Sequence, residues 1–339
     1  MEVIQTEKQK ALNHIPTKLE VLREINKREG IKQNKKLKEE YKRLEKGFKG
    51  EQELVKYLEE FGADYWKILR NVWLDYFGEF EIDLLLITGA GLYIFEVKNY
   101  TGKLELKNGQ CYMANGSIGH NPFSQAQKSL VNLKGIFKNK LNPSKIQGIL
   151  TFIGENNSVH IHDQLSGIKI ITRNELMNEI RKIKQEEREY LGYPLDVESV
   201  LSILNVYDIG SPTKEKEIPE EAKANLHTGI CCSHCGNFEL DTRKSYISCP
   251  CGMHESREEA IVRTICEYGI IHHNKNLTTT EVTEFFGEDI SRSTAIRYLN
   301  KYFKRVGNYK STIFVNKQKP LEAIFDEIEL NTSKYFKIR

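Results

Sequence analysis

The sequence has no long apolar run. No stretch approaches the ~18 continuous apolar residues of a membrane span, so a membrane partner is not expected. The opening residues, MEVIQTEKQK, lack the apolar core of a secretion signal, which points to the cytoplasm. Charge of one sign is also scarce. Fifty Lys and Arg stand against 47 Asp and Glu, and a net +3 selects no partner by itself. No internal repeat stands out, which excludes a solenoid.

What is present is unevenly placed. The first 49 residues carry 14 Lys and Arg against 8 Asp and Glu, with sparse Leu and Ile at helical spacing. Residues 1–46 therefore read as a pair of amphipathic helices or a short coiled coil, a surface on which copies of the chain would oligomerise. Four of the seven cysteines fall between 231 and 251. Without an export signal such a cluster indicates metal rather than disulfides. The expected divisions are 1–46, amphipathic helices; 47–207, an α/β domain; 208–229, a polar linker; 230–255, a cysteine cluster; and 256–339, a helical module ending in a hairpin.

The segment EIDLLLITGAGLYIFEVKNY (81–100) reads as a β-hairpin around the loop 88–91. In that register Asp83 faces Glu96 and Glu81 faces Lys98. Alternation puts Ile82, Leu84 and Leu86 with Tyr93, Phe95 and Val97 on one face. Asp83, Glu96 and Lys98 share the other. Two carboxylates directly opposite repel, and a partly buried pair raises a pKa unless a cation lies between them. A hard divalent ion, Mg²⁺ or Mn²⁺, satisfies both with oxygen ligands. Lys98 then polarises a water or a phosphate oxygen, a workable arrangement for metal-assisted phosphodiester hydrolysis. The competing interpretation is an edge hairpin with a Glu81–Lys98 pair and a solvated Asp83.

In GFKGEQELVKYLEEF (47–61) the apolar stripe of Leu54, Val55, Leu58 and Phe61 also carries Glu51. A carboxylate on a core stripe needs a partner, whereas one in a first helical turn needs only the dipole. Gly47 and Gly50 would allow close backbone approach near a helix start. In NPFSQAQKSLVNLKGIF (121–137), Asn121 suits an N-cap and Pro122 the first turn, and Gln125 lies within reach of the acids or of a phosphate.

These motifs, GFKGE, EID, EVKNYTG and NPFSQ, resemble in order those of the nuclease-related domain family, NERD, a branch of the restriction-endonuclease-like PD-(D/E)xK superfamily. The resemblance covers about 47–140. It implies an α/β fold with a restriction-endonuclease-like mixed sheet flanked by helices. It also implies Asp83 and Glu96 as ligands of Mg²⁺ or Mn²⁺, Lys98 as the catalytic lysine, Glu51 as an additional acid and Gln125 as an accessory group. Glu81 and Ile82 stand where the superfamily has Pro-Asp, so Glu81 is an alternative ligand.

Cys232 and Cys235 have the spacing of a Zn²⁺ knuckle, and Cys249 and Cys251 supply a tighter second pair thirteen residues on. A structural zinc ribbon follows, with His254 or Cys231 open as substitute ligands. A redox Cys-x-x-Cys leaves the second pair unexplained. Cys111 and Cys266 read as core residues. Residues 256–319 resemble a winged helix-turn-helix. Arg292, Ser293, Arg297 and Lys301 would face a major groove, with a basic hairpin turning at Gly307-Asn308. The module would equally suit protein contacts. The expected function is a divalent-metal-dependent nuclease acting on DNA, with RNA compatible. The alternative is a catalytically inactive nucleic-acid-binding or assembly protein built on the same fold.

Overall fold

The computed structural model describes residues 17–32, 34–107, 110–113, 116–117, 121–155, 157–162, 167–210, 218–224, 226–308 and 312–317. The chain divides into two compact units. One runs from Arg43 to Thr213; the other joins the described residues up to Lys42 with those from Lys214 onward.

The first unit is built on a five-stranded sheet of order β1-β2-β3-β7-β9: Lys67–Asp75, Glu79–Ile87, Leu92–Lys98, Ile146–Phe152 and Ile168–Thr172. The first three strands are antiparallel, and β3, β7 and β9 run parallel. The middle strands are apolar on both faces because helices cover both. On one side Leu54, Leu58, Phe95, Ile180 and Ile183 pack together, supplied in part by helices α2 (Lys35–Phe61) and α4 (Arg173–Glu189). On the other, Leu85, Ile94, Leu130, Leu133 and Leu204 form a second core, with α3 (Pro122–Ile136) and α5 (Val197–Asn205). A smaller sheet, β6-β5-β4-β8 (Gly116–Ser117, Gln110–Met113, Gly102–Lys107, Asn157–Ile161), packs Leu104, Leu106 and Cys111 against Phe123 and Phe152. The mixed sheet flanked by helices is the fold expected from the motifs.

Two details differ from expectation. The hairpin register holds at Leu84–Phe95, Leu85–Ile94, Leu86–Tyr93 and Ile87–Leu92, but the ladder stops there. Beyond it the Asp83 carboxylate, not a main-chain carbonyl, accepts the Val97 N–H at 2.8 Å. Ile82 joins the core of Leu85 and Ile87, not that of Leu84 and Leu86. The cause lies next door: Asn71 of β1 is left-handed (φ 48°), and the β1–β2 register runs from Arg70–Leu84 to Val72–Ile82 past it. Both strands change face at the level of Asp83. The second difference is that Gly47 and Gly50 do not start a helix. Helix α2 continues from Lys35 to Phe61, so Glu51 lies mid-helix and the first-turn dipole explanation fails.

In the second unit, α1 (Lys18–Lys27) opens with a Thr17/Glu20 capping box. Leu19, Val21, Leu22 and Ile25 are its buried stripe, spent within the chain. Residues 1–16 of the expected N-terminal helices lie outside the described residues. The expected linker contains a short helix, α6 (Glu220–Ala224), and its residues 211–217 are not described. A three-stranded sheet (β10 Asp241–Thr242, β11 Tyr246–Ser248, β12 His254–Ser256) precedes α7 (Arg257–Ile271), α8 (Thr279–Phe286) and α9 (Arg292–Tyr302). A two-stranded ladder, β13 (Arg305–Val306) with β14 (Ile313–Phe314), follows. Helix α7 is buried almost all round from Ala260 to Ile271, and Cys266 is among its core residues, as Cys111 is in the first unit.

Candidate active site

The fork between β2 and β3 gathers the charged residues singled out in the sequence. Glu96 lies inside the sheet, 1% exposed. Its Oε1 accepts from Lys98 Nζ at 2.6 Å, and the same ammonium donates to Gln125 Oε1 at 3.2 Å. Gln125 is placed by the N-terminus of α3, where the Asn121 side chain accepts the Phe123 N–H at 2.9 Å. Asp83 sits at the fork, held by the Val97 N–H. Glu51 comes from α2. That helix approaches the end of β3 closely: a Cβ on Gly50 would lie 2.9 Å from Asn99 Cβ and 3.0 Å from Ile153 Cγ2. Gly47 has open space around it, so its smallness serves no contact.

The electrostatics show the acids acting on one another. Burial, then the Asp83 charge, pushes Glu96 up to about 8. Burial, then Asp83, Glu51 and Glu96, pushes Glu81 up to about 8. Burial and Asp83 push Glu51 up to about 7, against the opposing charges of Arg70 and Lys98. Burial also raises Asp83, against Lys98 and the Val97 N–H. Burial works against the Lys98 ammonium, but Glu96 and Asp83 outweigh it and hold it above its ordinary value. Glu81, on strand β2, is therefore part of the acid group rather than a partner for Lys98.

Glu96 Oε2 is buried and receives no N–H or hydroxyl donor among the described residues; the Asp83 carboxyl lies against the Glu96 carboxyl, close enough to share a proton with it. A buried carboxylate oxygen left without a donor is costly, and a hard cation beside Asp83 would satisfy it. The donor set, carboxylates with a lysine, fits a hard divalent ion. These acids do not themselves close into a group of three ligands. Among the described residues, the cysteine quartet is the group close enough to share an ion.

One residue of this region was not singled out beforehand. Arg70 of β1 acts on Glu51, and its guanidinium lies 5.7 Å from the Phe48 ring centroid. Its only signal in the sequence is an arginine in the middle of the strand KILRNVWLD.

The cysteine cluster lies in the second unit. The Sγ atoms of Cys232, Cys235, Cys249 and Cys251 all fall within 4.8 Å of one another. Cys232–Cys251 and Cys235–Cys249 are each 3.6 Å apart. A tetrahedron with Zn–S bonds of ~2.3 Å has edges of about 3.8 Å, so the quartet is compatible with zinc. The N–H groups of His234 and Cys235 both donate to Cys232 Sγ at 3.4 Å, and Gly236 and Gly252 take the left-handed turns that follow each pair. Sulfurs this close do not all ionise alike. Burial would raise Cys232, but the Cys235 and His234 N–H groups bring it down to about 7. The Cys251 N–H would lower Cys249, yet burial and the neighbouring thiols push it up to about 12. Cys231 is not in the quartet: its thiol is buried, 3.9 Å from Glu267 Oε2. His254 is not in it either.

On α9, Arg292 and Ser293 are exposed near the helix start, and the Ser293 hydroxyl meets that of Ser291 at 2.9 Å. Arg297 lies over the Tyr298 ring at 4.9 Å. Lys301 is already engaged, with Glu258 at 2.6 Å.

The first unit is an α/β domain with a mixed sheet and a group of acids and a lysine gathered at the fork. Residues 46–153 match the family model described as Nuclease-related domain, NERD, which bears out the resemblance drawn from the motifs over that stretch. No curated protein and no solved structure matches the chain. Among the described residues no helix is long and apolar enough to cross a membrane.

Proposed function

We propose that the protein is a divalent-metal-dependent nuclease that hydrolyses phosphodiester bonds of DNA. The observation that carries this is the Glu96–Lys98 pair beside Asp83 at the strand fork, within the stretch that matches the nuclease-related domain. Asp83 and Glu96 would hold Mg²⁺ or Mn²⁺, with Glu51 and Glu81 as further acids. The ion, when bound, supplies Lewis acidity and a more acidic water. Lys98, oriented by Glu96 and by Gln125, donates to a phosphate oxygen and stabilises negative charge developing there. The cysteine quartet would hold a structural zinc. Helix α9, through Arg292, Ser293 and Arg297, would contact nucleic acid as the recognition helix of a winged-helix-like module. Lys301 contributes less there, because Glu258 neutralises it.

The test is cleavage of labelled DNA and RNA, single- and double-stranded, with Mg²⁺, Mn²⁺ or EDTA. Wild type should cut only with metal. Asp83→Asn and Lys98→Ala should each lose about 10²-fold or more, as when a positioned stabilising group is removed, while still folding with a cooperative melting transition. Unchanged cutting by either variant would refute the assignment. A second interpretation is a nucleic-acid-binding or assembly protein that keeps this fold and does not cut, which needs no ion at the fork. Metal-independent binding without cleavage by a folded wild type would establish it.

A further inference from the structure

Arg70 stands in a position that the nuclease chemistry described so far does not use. It lies on β1 immediately before left-handed Asn71, where the strand changes face opposite the fork. Its Nε is buried and finds no hydrogen-bond partner among the described residues. The guanidinium rests over the Phe48 ring and within electrostatic reach of Glu51. Leaving a buried donor unpaired is expensive, and each such group calls for an account in strain, a water or ion, or a functional role; the acids beside Arg70 favour the last.

The same region holds the opposite defect. Glu96 Oε2 is a buried acceptor that no N–H or hydroxyl reaches, set against the Asp83 carboxyl, with which it can share only a proton. One unpartnered donor and one unpartnered acceptor, both tied to the Asp83 and Glu51 acids, match a ligand pair of defined chemistry. A phosphate oxygen suits the arginine and a cation suits the glutamate. Glutamate, lysine and aspartate alone would make the pocket hostile to a phosphodiester. A planar guanidinium offsets that charge, and its fork of N–H donors fits a phosphate better than an ammonium does.

We propose that Arg70 contacts a backbone phosphate of the bound nucleic acid, and so is a substrate-binding residue of the site at the strand fork. This rests on the nuclease reading for the identity of the ligand, but it concerns binding, and binding is measured without turnover. The chemical class is a phosphodiester in a polynucleotide. A free phosphate or mononucleotide shares the chemistry, and competition separates the sources.

The experiment titrates full-length protein into short labelled single- and double-stranded oligonucleotides in EDTA and in Ca²⁺, following anisotropy at several salt concentrations. Inorganic phosphate and a mononucleotide serve as competitors. Arg70→Gln should weaken binding about tenfold and reduce the slope of log Kd against log[salt] by about 1, the share of one phosphate contact. Arg70→Lys should restore the slope and only part of the affinity. Lys182→Gln, on α4 and paired with Glu186, should change neither. Phosphate or mononucleotide bound by wild type and lost in Arg70→Gln, with oligonucleotide affinity and salt slope unchanged by the substitution, would show a free anion as the true ligand and overturn the polynucleotide assignment. If Arg70→Gln does not fold, Arg70→Lys decides: weakened affinity at an unchanged slope supports the contact, and wild-type affinity overturns it. The two readings fail separately. DNA cut equally by wild type and Arg70→Gln, with equal affinity, removes Arg70 from the site and leaves the nuclease standing. Nucleic acid bound through Arg70 but never cut removes the nuclease and leaves the contact. No binding of any oligonucleotide by wild type overturns the contact.

Discussion

Glu81 and Glu96 are pushed to about 8, and Glu51 to about 7, first by burial and then by the Asp83 charge. Their ordinary value is near 4.5, so the fold binds more protons than the unfolded chain between the two. The stabilisation is complete below the ordinary value and is lost as pH rises through about 7 to 8. In EDTA the melting temperature of the first unit should therefore fall between pH 5 and pH 9. The fall should be several degrees, at roughly 2–4 °C per kcal/mol for a domain of this size. Asp83→Asn removes the charge common to all three and should flatten the profile. Added Mg²⁺ should raise the melting temperature most at the alkaline end, where carboxylates are ionised. A melting temperature independent of pH would mean the acids are solvated and do not share a site. These residues were legible in the sequence because acids inside apolar strands are conspicuous. Arg70 was not, since one arginine in a half-buried strand has many harmless explanations.

At the scale of elements, Gly50 decides how near α2 comes to the end of β3. An Ala there would set its Cβ 2.9 Å from Asn99 Cβ and 3.0 Å from Ile153 Cγ2, and overpacking of this kind costs about 1–3 kcal/mol. Ala also gains helix propensity over Gly, by roughly 1 kcal/mol, so Gly50→Ala should be close to neutral or mildly destabilising. Its effect on cleavage should be larger, because any outward shift of α2 carries Glu51 away from Asp83. Gly47→Ala, with open space around it, should raise stability and leave cleavage alone. Equal behaviour of the two variants would separate Glu51 from the chemistry. Hairpin register was readable because a one-residue slip exposes a whole apolar face. The change of face at Asp83 was not, because it depends on one left-handed residue, Asn71, on the neighbouring strand. Continuity of α2 was hidden by its own glycines, which look like breakers in a sequence but are bridged by packing at Leu54 and Leu58.

The second unit draws on both sides of the first in sequence, and no local pattern announces that. Its join is ionic and buried. Arg28, 0% exposed, donates through Nη1 to the His227 and Gly229 carbonyls at 3.0 and 2.8 Å, and through Nη2 to Glu267 at 2.7 Å. Arg263 donates to Glu267 at 2.6 Å and to the Cys231 carbonyl at 2.8 Å, and Lys27 reaches Glu267 at 3.1 Å. Burial would raise Glu267, but Lys27, Arg263 and Arg28 outweigh it and hold it at about 2. Its contribution is therefore present above the ordinary carboxylate value and is lost only as pH falls through about 2. Glu267→Gln keeps the shape and removes the carboxylate shared by all three cations, leaving Lys27 with Glu24 and Arg263 with Glu255. Breaking a buried pair from one side costs about 3–5 kcal/mol. The expected result is a second unit that melts at markedly lower temperature. If the cysteine quartet holds zinc, the ion should be released with it, since the Cys231 carbonyl held by Arg263 immediately precedes Cys232. The first unit, with its own cores, should keep its transition. Calorimetry paired with a chromogenic zinc indicator reads both events. Release of zinc at the wild-type temperature would mean that the knuckle folds independently of the N-terminal helix, and that α1 is attached to the second unit without holding it together.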